Sequence, residues 1–381
     1  MKRIFSPYRI CPVGAHVDHQ GGAVLGRTIQ LGTTLDYEPL DSNEIHILSE
    51  QLGEARFSIG ELDKTHWARY AQAAARVLGA KRGMRARVSG SLIGSGLSSS
   101  AAVGLAYLKA LADVNDVELS KQDLVNLDYE LERGQLGLQN GLLDPLTIVN
   151  GRRDALLFMD TLTPSVTPIF DSPTIGAAWL VAYSGVSREL TKSGFNVRVE
   201  ECRQAASRLK RGAEILSDVS REIYEDKKMT LPQNLRKRAA HFFGEVDRVQ
   251  RGAQAWRDAD LELFGRLMNQ SCESSIRNYE SGSEILIELH ELVSNTEGIY
   301  GSRFSGGGYG GCVIALAQKD LAKEACLEIA KRFSALHPEL PSKVFIVETG
   351  DGFSPSRAPV STPGRSERSD SVVEAGPGVR S

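Results

Sequence analysis

Residues 6–22 read Ser-Pro-Tyr-Arg-Ile-Cys-Pro-Val-Gly-Ala-His-Val-Asp-His-Gln-Gly-Gly. One arginine (Arg9), two histidines (His16, His19), one aspartate (Asp18) and three glycines (Gly14, Gly21, Gly22) share this short segment. Such a loop can be lined with groups that recognise hydroxyls and anions; His16, Asp18 and His19 could instead ligate a metal. A second segment, 90–102, reads Gly-Ser-Leu-Ile-Gly-Ser-Gly-Leu-Ser-Ser-Ser-Ala-Ala. Its glycines let the backbone approach a ligand closely, and its serines open an apolar helix whose free N–H groups favour phosphate. Ser98, Ser99 and Ser100 can cap that helix, bind phosphate oxygen or ligate a divalent cation. No Gly-Lys-Ser/Thr follows, so it is not a Walker loop. A third segment, 306–312, places five glycines in six positions ahead of an apolar strand. That density is entropically costly for a mere turn and indicates backbone pressed against another loop or a ligand. The fourth group is Gly141-Leu-Leu-Asp144-Pro, where Asp144 is either a partly enclosed carboxylate or a helix cap ahead of proline.

The elements that must position these residues follow from patterning. Residues 26–60 alternate short apolar runs with turn residues and read as β-rich. Helical spacing runs from Trp67 to Leu78, over 101–112 and from Leu124 to Glu132. Strands are expected at 85–88, 155–159, 178–183, 312–316 and 344–347, with a helix at 320–334 and long charged helices over about 195–295. The change of character near 175 marks a domain boundary, giving domains at 1–175 and 176–353. Residues 354–381 are rich in Ser, Pro, Arg and Gly, lack aromatics and are expected to be a disordered tail.

Composition bounds the function. The chain has 381 residues, 41% hydrophobic and 24% charged, with a formal net charge of -3. That balance speaks against nucleic acid or an anionic membrane as partner. Cys11, Cys202, Cys272, Cys312 and Cys326 are odd in number and form no Cys-x-x-Cys pair, which argues against a disulfide framework. The N-terminus turns polar too early for a secretory leader, and no apolar run approaches the ~20 residues of a membrane helix. A cytoplasmic protein is expected, monomer or homodimer.

The first three segments, in this order and spacing, resemble the three signature motifs of the GHMP small-molecule kinases. Residues 9–22 and 300–312 resemble the galactokinase branch, and the similarity extends to about residue 353. The resemblance implies an α/β + α+β fold, with a ribosomal protein S5 domain 2-like N-terminal half and a ferredoxin-like C-terminal half. ATP and sugar would meet in the cleft between them. By the same resemblance Asp144 and Arg9 are catalytic, and Ala15, His16, Asp18, His19, Gly141 and Phe195 bind the sugar. Gly94, Ser95, Gly96, Leu97, Ser98, Ser99 and Ser100 would cradle ATP phosphates, with Trp67 near the adenine. Mg²⁺ would be held by Glu132 and by Ser99 or Ser100.

Departures from the galactokinase pattern carry the substrate reading. Galactokinases are implied to have Glu where this chain has Ala15, and that Glu would meet the C6 hydroxyl. A Glu facing a C6 carboxylate at ~4 Å would cost about 4 kcal/mol at an effective dielectric of 20. Alanine removes the clash, which points to D-galacturonic acid phosphorylated at its anomeric hydroxyl. His19 replaces a Tyr and can carry positive charge. Phe195 replaces another Tyr, and Arg188, Lys192 and Arg198 are candidate partners for a uronate. Residues 6–22 and 274–284 are more similar to galacturonokinases than to galactokinases. Two alternatives stand beside this reading: a kinase of galactose or a galactose-like sugar, and a non-catalytic sugar-sensing regulator.

Overall fold

The computed structural model describes residues 1–90, 96–186 and 194–355. Its first sheet is built on two long strands, β1 (Lys2–Val13) and β2 (Val24–Pro39), paired antiparallel with bulges at Pro7/Tyr8 and Ile10/Val13. The hairpin β3 (Glu44–Ser49) and β4 (Gly53–Ser58) is followed by helix α1 (Arg69–Leu78) and strand β5 (Met84–Gly90). β5 lies between β2 and β3, antiparallel to the first and parallel to the second. Helix α2 (Ser99–Val114) is Ala- and Leu-rich on all sides, and such a helix must be buried. It packs on β1, β2 and α1. Helix α3 (Lys121–Glu130) starts with a Ser120/Asp123 capping box and runs into a π-helical turn, Leu131–Gln135. Then come α4 (Leu143–Asn150), β6 (Ala155–Asp160) and β7 (Ser165–Phe170), with β6 pairing the start of β2.

The second sheet contains β8 (Ala177–Tyr183), β9 (Ile299–Phe304), β10 (Cys312–Gln318) and β11 (Lys343–Val347) in the order β11-β8-β10-β9, every pair antiparallel. In chain order this is 4-1-3-2, the ferredoxin-like arrangement. Between β8 and β9 run helices α5 (Phe195–Leu209), α6 (Arg221–Lys227), α7 (Gln233–Arg257), α8 (Leu261–Ser274) and α9 (Glu284–Ser294); α10 (Ala322–Leu336) joins β10 to β11. Alternate residues of β8 and β10 serve different cores. Leu180, Ala182, Val313 and Ala315 pack with α9 and α10, whereas Trp179, Val181, Ile314 and Leu316 join a larger cluster with Trp256 and Phe264. Both faces are covered, so these strands are apolar throughout. The larger cluster continues through α7 and α8 into β1 and β2, so the two halves share one core.

The change of sheet falls between Phe170 and Ala177. The chain end corrects one expectation. Ser354–Pro355 form a short strand, β12, paired with Phe5 and Ile4 of β1, so the ordered fold does not stop at 353. Ahead of it, the Gly350 amide donates to Thr28 and that of Phe353 to Ile148, returning the chain to the first sheet. The remainder of the expected tail lies outside the described residues, as do Gly94, Ser95, Arg188 and Lys192. No helix among the described residues is long and apolar enough to cross a membrane.

Candidate active site

Arg9 emerges from β1 with 2% of its surface exposed. Its Nε donates to Asp144 Oδ1 at 2.6 Å, and its Nη1 to the Gly96 carbonyl at 3.3 Å and to Ser305 Oγ at 3.1 Å. One guanidinium therefore touches the second segment, the residue preceding the third, and Asp144. Burial works against its charge, but Asp144 more than offsets this and raises its pKa. The backbone seals the junction. Gly96 has φ 82°, and a Cβ there would stand 2.6 Å from the Ser305 carbonyl. The glycine-rich segments are pressed together, as their composition required.

Asp144 is not a helix cap. It lies in the first turn of α4, after Leu142 at the cap position. Its Oδ2 accepts from Ser98 Oγ at 2.6 Å. Ser98 is itself at the cap position of α2, in a left-handed conformation (φ 62°), with its hydroxyl turned toward Asp144 and away from the helix N–H groups. Ser99 and Ser100 open the helix, half-buried.

A cleft of about 480 Å³, open to solvent, is lined by Arg9, Ala15, His16, Asp18, Gly141, Asp144 and Phe195, together with Asn140 and Gly306. The carboxylate of Asp18 accepts from the Leu143 amide at 3.2 Å. Burial first, then the charge of Asp144, pushes its pKa up to about 6. Gly141 must be glycine, since a Cβ would lie 2.4 Å from the backbone of Asp18 and His19. His16 Nε2 donates to the Gly306 carbonyl at 3.1 Å, and its ring stacks on Tyr279 with centroids 4.4 Å apart.

His19 does not line the cleft and does not supply a cation. Gln20 donates to its Nδ1 at 3.0 Å, so its Nε2 donates to the Tyr279 hydroxyl, also at 3.0 Å. Burial, with nearby His241 and two arginines, lowers its pKa to about 3. Arg198 does not supply one either: it pairs with Glu201 at 3.0 Å and Glu280 at 3.8 Å. Trp67 lies just ahead of α1, half-buried against His66, and does not line the cleft. Among the described residues no group of three or more His, Cys, Asp or Glu could hold a metal ion.

Glu132 sits on the π-helical turn and accepts from Asn140 Nδ2 at 2.8 Å. Such turns insert one residue into a helix and re-aim its side chains. Tyr70 meets the Ser100 hydroxyl and feels the charge of Glu132. These carboxylate and hydroxyl oxygens are the hard donors that suit Mg²⁺.

Arg9 thus joins the second segment, Ser305 and Asp144, and the chain as a whole is similar to known proteins. Residues 67–152 match the GHMP kinases N terminal domain and residues 253–335 the GHMP kinases C terminal family. The chain is 36% identical to galacturonokinase of Arabidopsis thaliana, over 91% of this chain and 92% of that protein. The chain belongs to the GHMP kinases. It is an ATP-dependent carbohydrate kinase. Galactokinase of Staphylococcus carnosus is 30% identical over 91% of this chain and 93% of its own length. The crystal structure of Lactococcus lactis galactokinase complexed with galactose superposes with a TM-score of 0.85 at 26% identity, covering 93% of this chain and 95% of that one.

Four residues at or near the cleft were not singled out in the sequence. Ser305 and Tyr279 lie within the segments 300–312 and 274–284 that carry the resemblance, but nothing local marks them individually, and Asn140 and Asp128 stand outside the motif segments. Asp128 lies one turn before Glu132, is 0% exposed, and neither of its carboxyl oxygens has a hydrogen-bond partner among the described residues. It faces Gly104 of α2, where a Cβ would come within 2.7 Å of Oδ1. Burial, then the charges of Glu132 and Asp144, holds its pKa well above the usual carboxylate range. A raised folded-state pKa means that stability present below the unfolded value is lost as pH climbs through the folded one. Asp128→Asn cannot ionise. Its melting midpoint is expected to exceed the parent's by about 2–4 °C at pH 8, with a smaller gain at pH 5. Thermal melts at the two pH values check this, and a gain that shrinks with rising pH contradicts it.

Proposed function

We propose that this kinase transfers the γ-phosphate of ATP to the anomeric hydroxyl of D-galacturonic acid, giving α-D-galacturonate 1-phosphate and ADP. The observation that carries the reading is Ala15 on the cleft wall, 2% exposed and next to His16. A glutamate at this position would bring a second negative charge toward a C6 carboxylate. The 36% identical plant relative is named for galacturonate, which supports the same choice.

Asp144 is the group that takes the proton of the attacking hydroxyl. Arg9 holds that carboxylate in place and lies where it can stabilise charge on the transferring phosphoryl. Ser98 shares the other oxygen of Asp144, so the carboxylate is oriented from both sides. Asp18 and His16 meet sugar hydroxyls. Glu132, with Ser99 or Ser100, would hold Mg²⁺, which neutralises phosphate charge when bound. Arg9 is the only cationic side chain lining the cleft among the described residues, and it is committed to Asp144. Arg188 and Lys192, the remaining sequence candidates for the uronate, lie outside the described residues.

The test is a substrate panel with ATP and Mg²⁺, reading ADP release. Galacturonate is expected to give the highest kcat/KM. Higher efficiency with galactose overturns the substrate assignment, and no turnover with any sugar overturns the catalytic one.

A further inference from the structure

The cleft wall is an arch that cannot hold its own shape. Gly14 has φ 94° and His16 has φ 65°, two left-handed residues flanking Ala15. For His16, which has a Cβ, that conformation is unfavourable unless neighbours impose it. Helix α7 supplies those neighbours from more than 220 positions along the chain. His241 and Glu245 lie one turn apart on its buried face. The Gly14 amide donates to Glu245 Oε2 at 2.7 Å, and Ser271 Oγ donates to the same oxygen at 2.8 Å. Arg248 Nε donates to Glu245 Oε1 at 2.5 Å, and the Arg303 guanidinium donates to Ser271. Val249, a turn further on, closes against Gly14: a Cβ there would stand 2.7 Å from its side chain.

His241 makes two directional contacts. Its Nε2 is 3.0 Å from the Ala15 carbonyl and its Nδ1 is 3.0 Å from Ser274 Oγ. A carbonyl only accepts, so Nε2 carries the proton and Nδ1 accepts from the serine. Burial lowers the pKa of this ring to about 4, so the neutral tautomer persists at neutral pH. The His241 ring also lies 5.2 Å from that of Tyr279, on which His16 stacks.

We propose that His241 is a positioning residue for the sugar: its bond to the Ala15 carbonyl fixes the Gly14–His16 arch that walls the cleft, with Glu245 anchoring Gly14 one turn away. Among the described residues the hydrogen bonds and ring contacts of His241 go to Ala15, Ser274, His16 and Tyr279, none of them in the phosphate-binding loop. Its effect is on the sugar and not on ATP. The inference rests on phosphorylation of a sugar in this cleft and is independent of which sugar that is.

Paired substitutions separate positioning from mere packing. Glutamine places its amide near the position of Nε2 and keeps a donor for Ala15. Asparagine places its amide near that of Nδ1 and loses it. His241→Asn is expected to raise sugar KM about tenfold, with ATP KM within about twofold of the parent. His241→Gln is expected to stay within about threefold for the sugar, the loss of one buried hydrogen bond at Ser274 being borne elsewhere. Equal sugar KM for the two variants, or parallel rises in sugar and ATP KM, overturns the proposal. Ser274→Ala removes the Nδ1 contact and leaves the Ala15 bond, which keeps the test alive if the asparagine variant does not fold. Its sugar KM is expected within about threefold of the parent, and a rise of about tenfold there also overturns the proposal. Each variant is assayed with galacturonate and with galactose. The Asn/Gln split on a galactose-preferring enzyme upholds the positioning role while overturning the substrate assignment.

Discussion

Asp144→Asn is expected to lower kcat by about three orders of magnitude while nucleotide binding persists. The amide fits the same contacts. Its oxygen still accepts from Arg9 Nε, now at 2.6 Å from Oδ1, and its NH₂ can donate to Ser98 Oγ, now at 2.6 Å from Oδ2. What it cannot do is take a proton from the attacking hydroxyl. Asp144→Ala should also abolish turnover, but it strips Arg9 of its charged partner. Breaking a buried pair in that way costs about 3–5 kcal/mol, so the asparagine variant is the cleaner probe of chemistry. ADP release measures the loss, and a fluorescent ATP analogue measures what is retained. Turnover of the asparagine variant within about tenfold of the parent would remove Asp144 from the proton-transfer role.

Ala15→Glu is expected to separate the two candidate sugars. With galacturonate, a new carboxylate about 4 Å from the uronate costs about 4 kcal/mol at an effective dielectric of 20, nearly three decades in kcat/KM. With galactose no such repulsion exists, and the loss is limited to repacking a residue that is 2% exposed. The Ala15 carbonyl still meets His241, because the substitution leaves the backbone donor–acceptor pair in place. Steady-state kinetics on both sugars read the ratio. Equal losses would show that steric crowding, not charge, governs this wall.

These two expectations use residues of very different visibility. Arg9 and Asp144 stand in segments marked by glycine, and glycine clusters betray close backbone approach wherever they occur. The pressed contact between Gly96 and Ser305 is such an approach. The strands and helices were legible for a similar reason. Period-two apolar alternation and helical spacing are local properties, and the expected strand at 85–88 lies inside β5 just as the helix at 101–112 lies inside α2. Less visible were the π-helical turns. Leu131–Gln135 carries Glu132 and Ser275–Tyr279 carries Tyr279, and one inserted residue leaves the helical pattern almost unchanged.

The charge of His19 is not legible in the sequence because a pKa is set by surroundings. Histidine replacing tyrosine suggests a cation on paper. Buried between Gln20 and Tyr279, the ring is neutral. His241 and Glu245 were illegible for another reason. They read as two polar residues within a long charged helix, and nothing near them in sequence refers to Gly14 or Ala15. By itself the sequence determined the family and the motif segments in which Arg9 and Asp144 stand, because each depends on residue types at short spacing. Only the tertiary structure decided that one guanidinium joins those segments, which histidines stay uncharged, and that α7 holds the sugar-side arch. Those outcomes depend on burial and on contacts between distant parts of the chain, which local spacing does not encode.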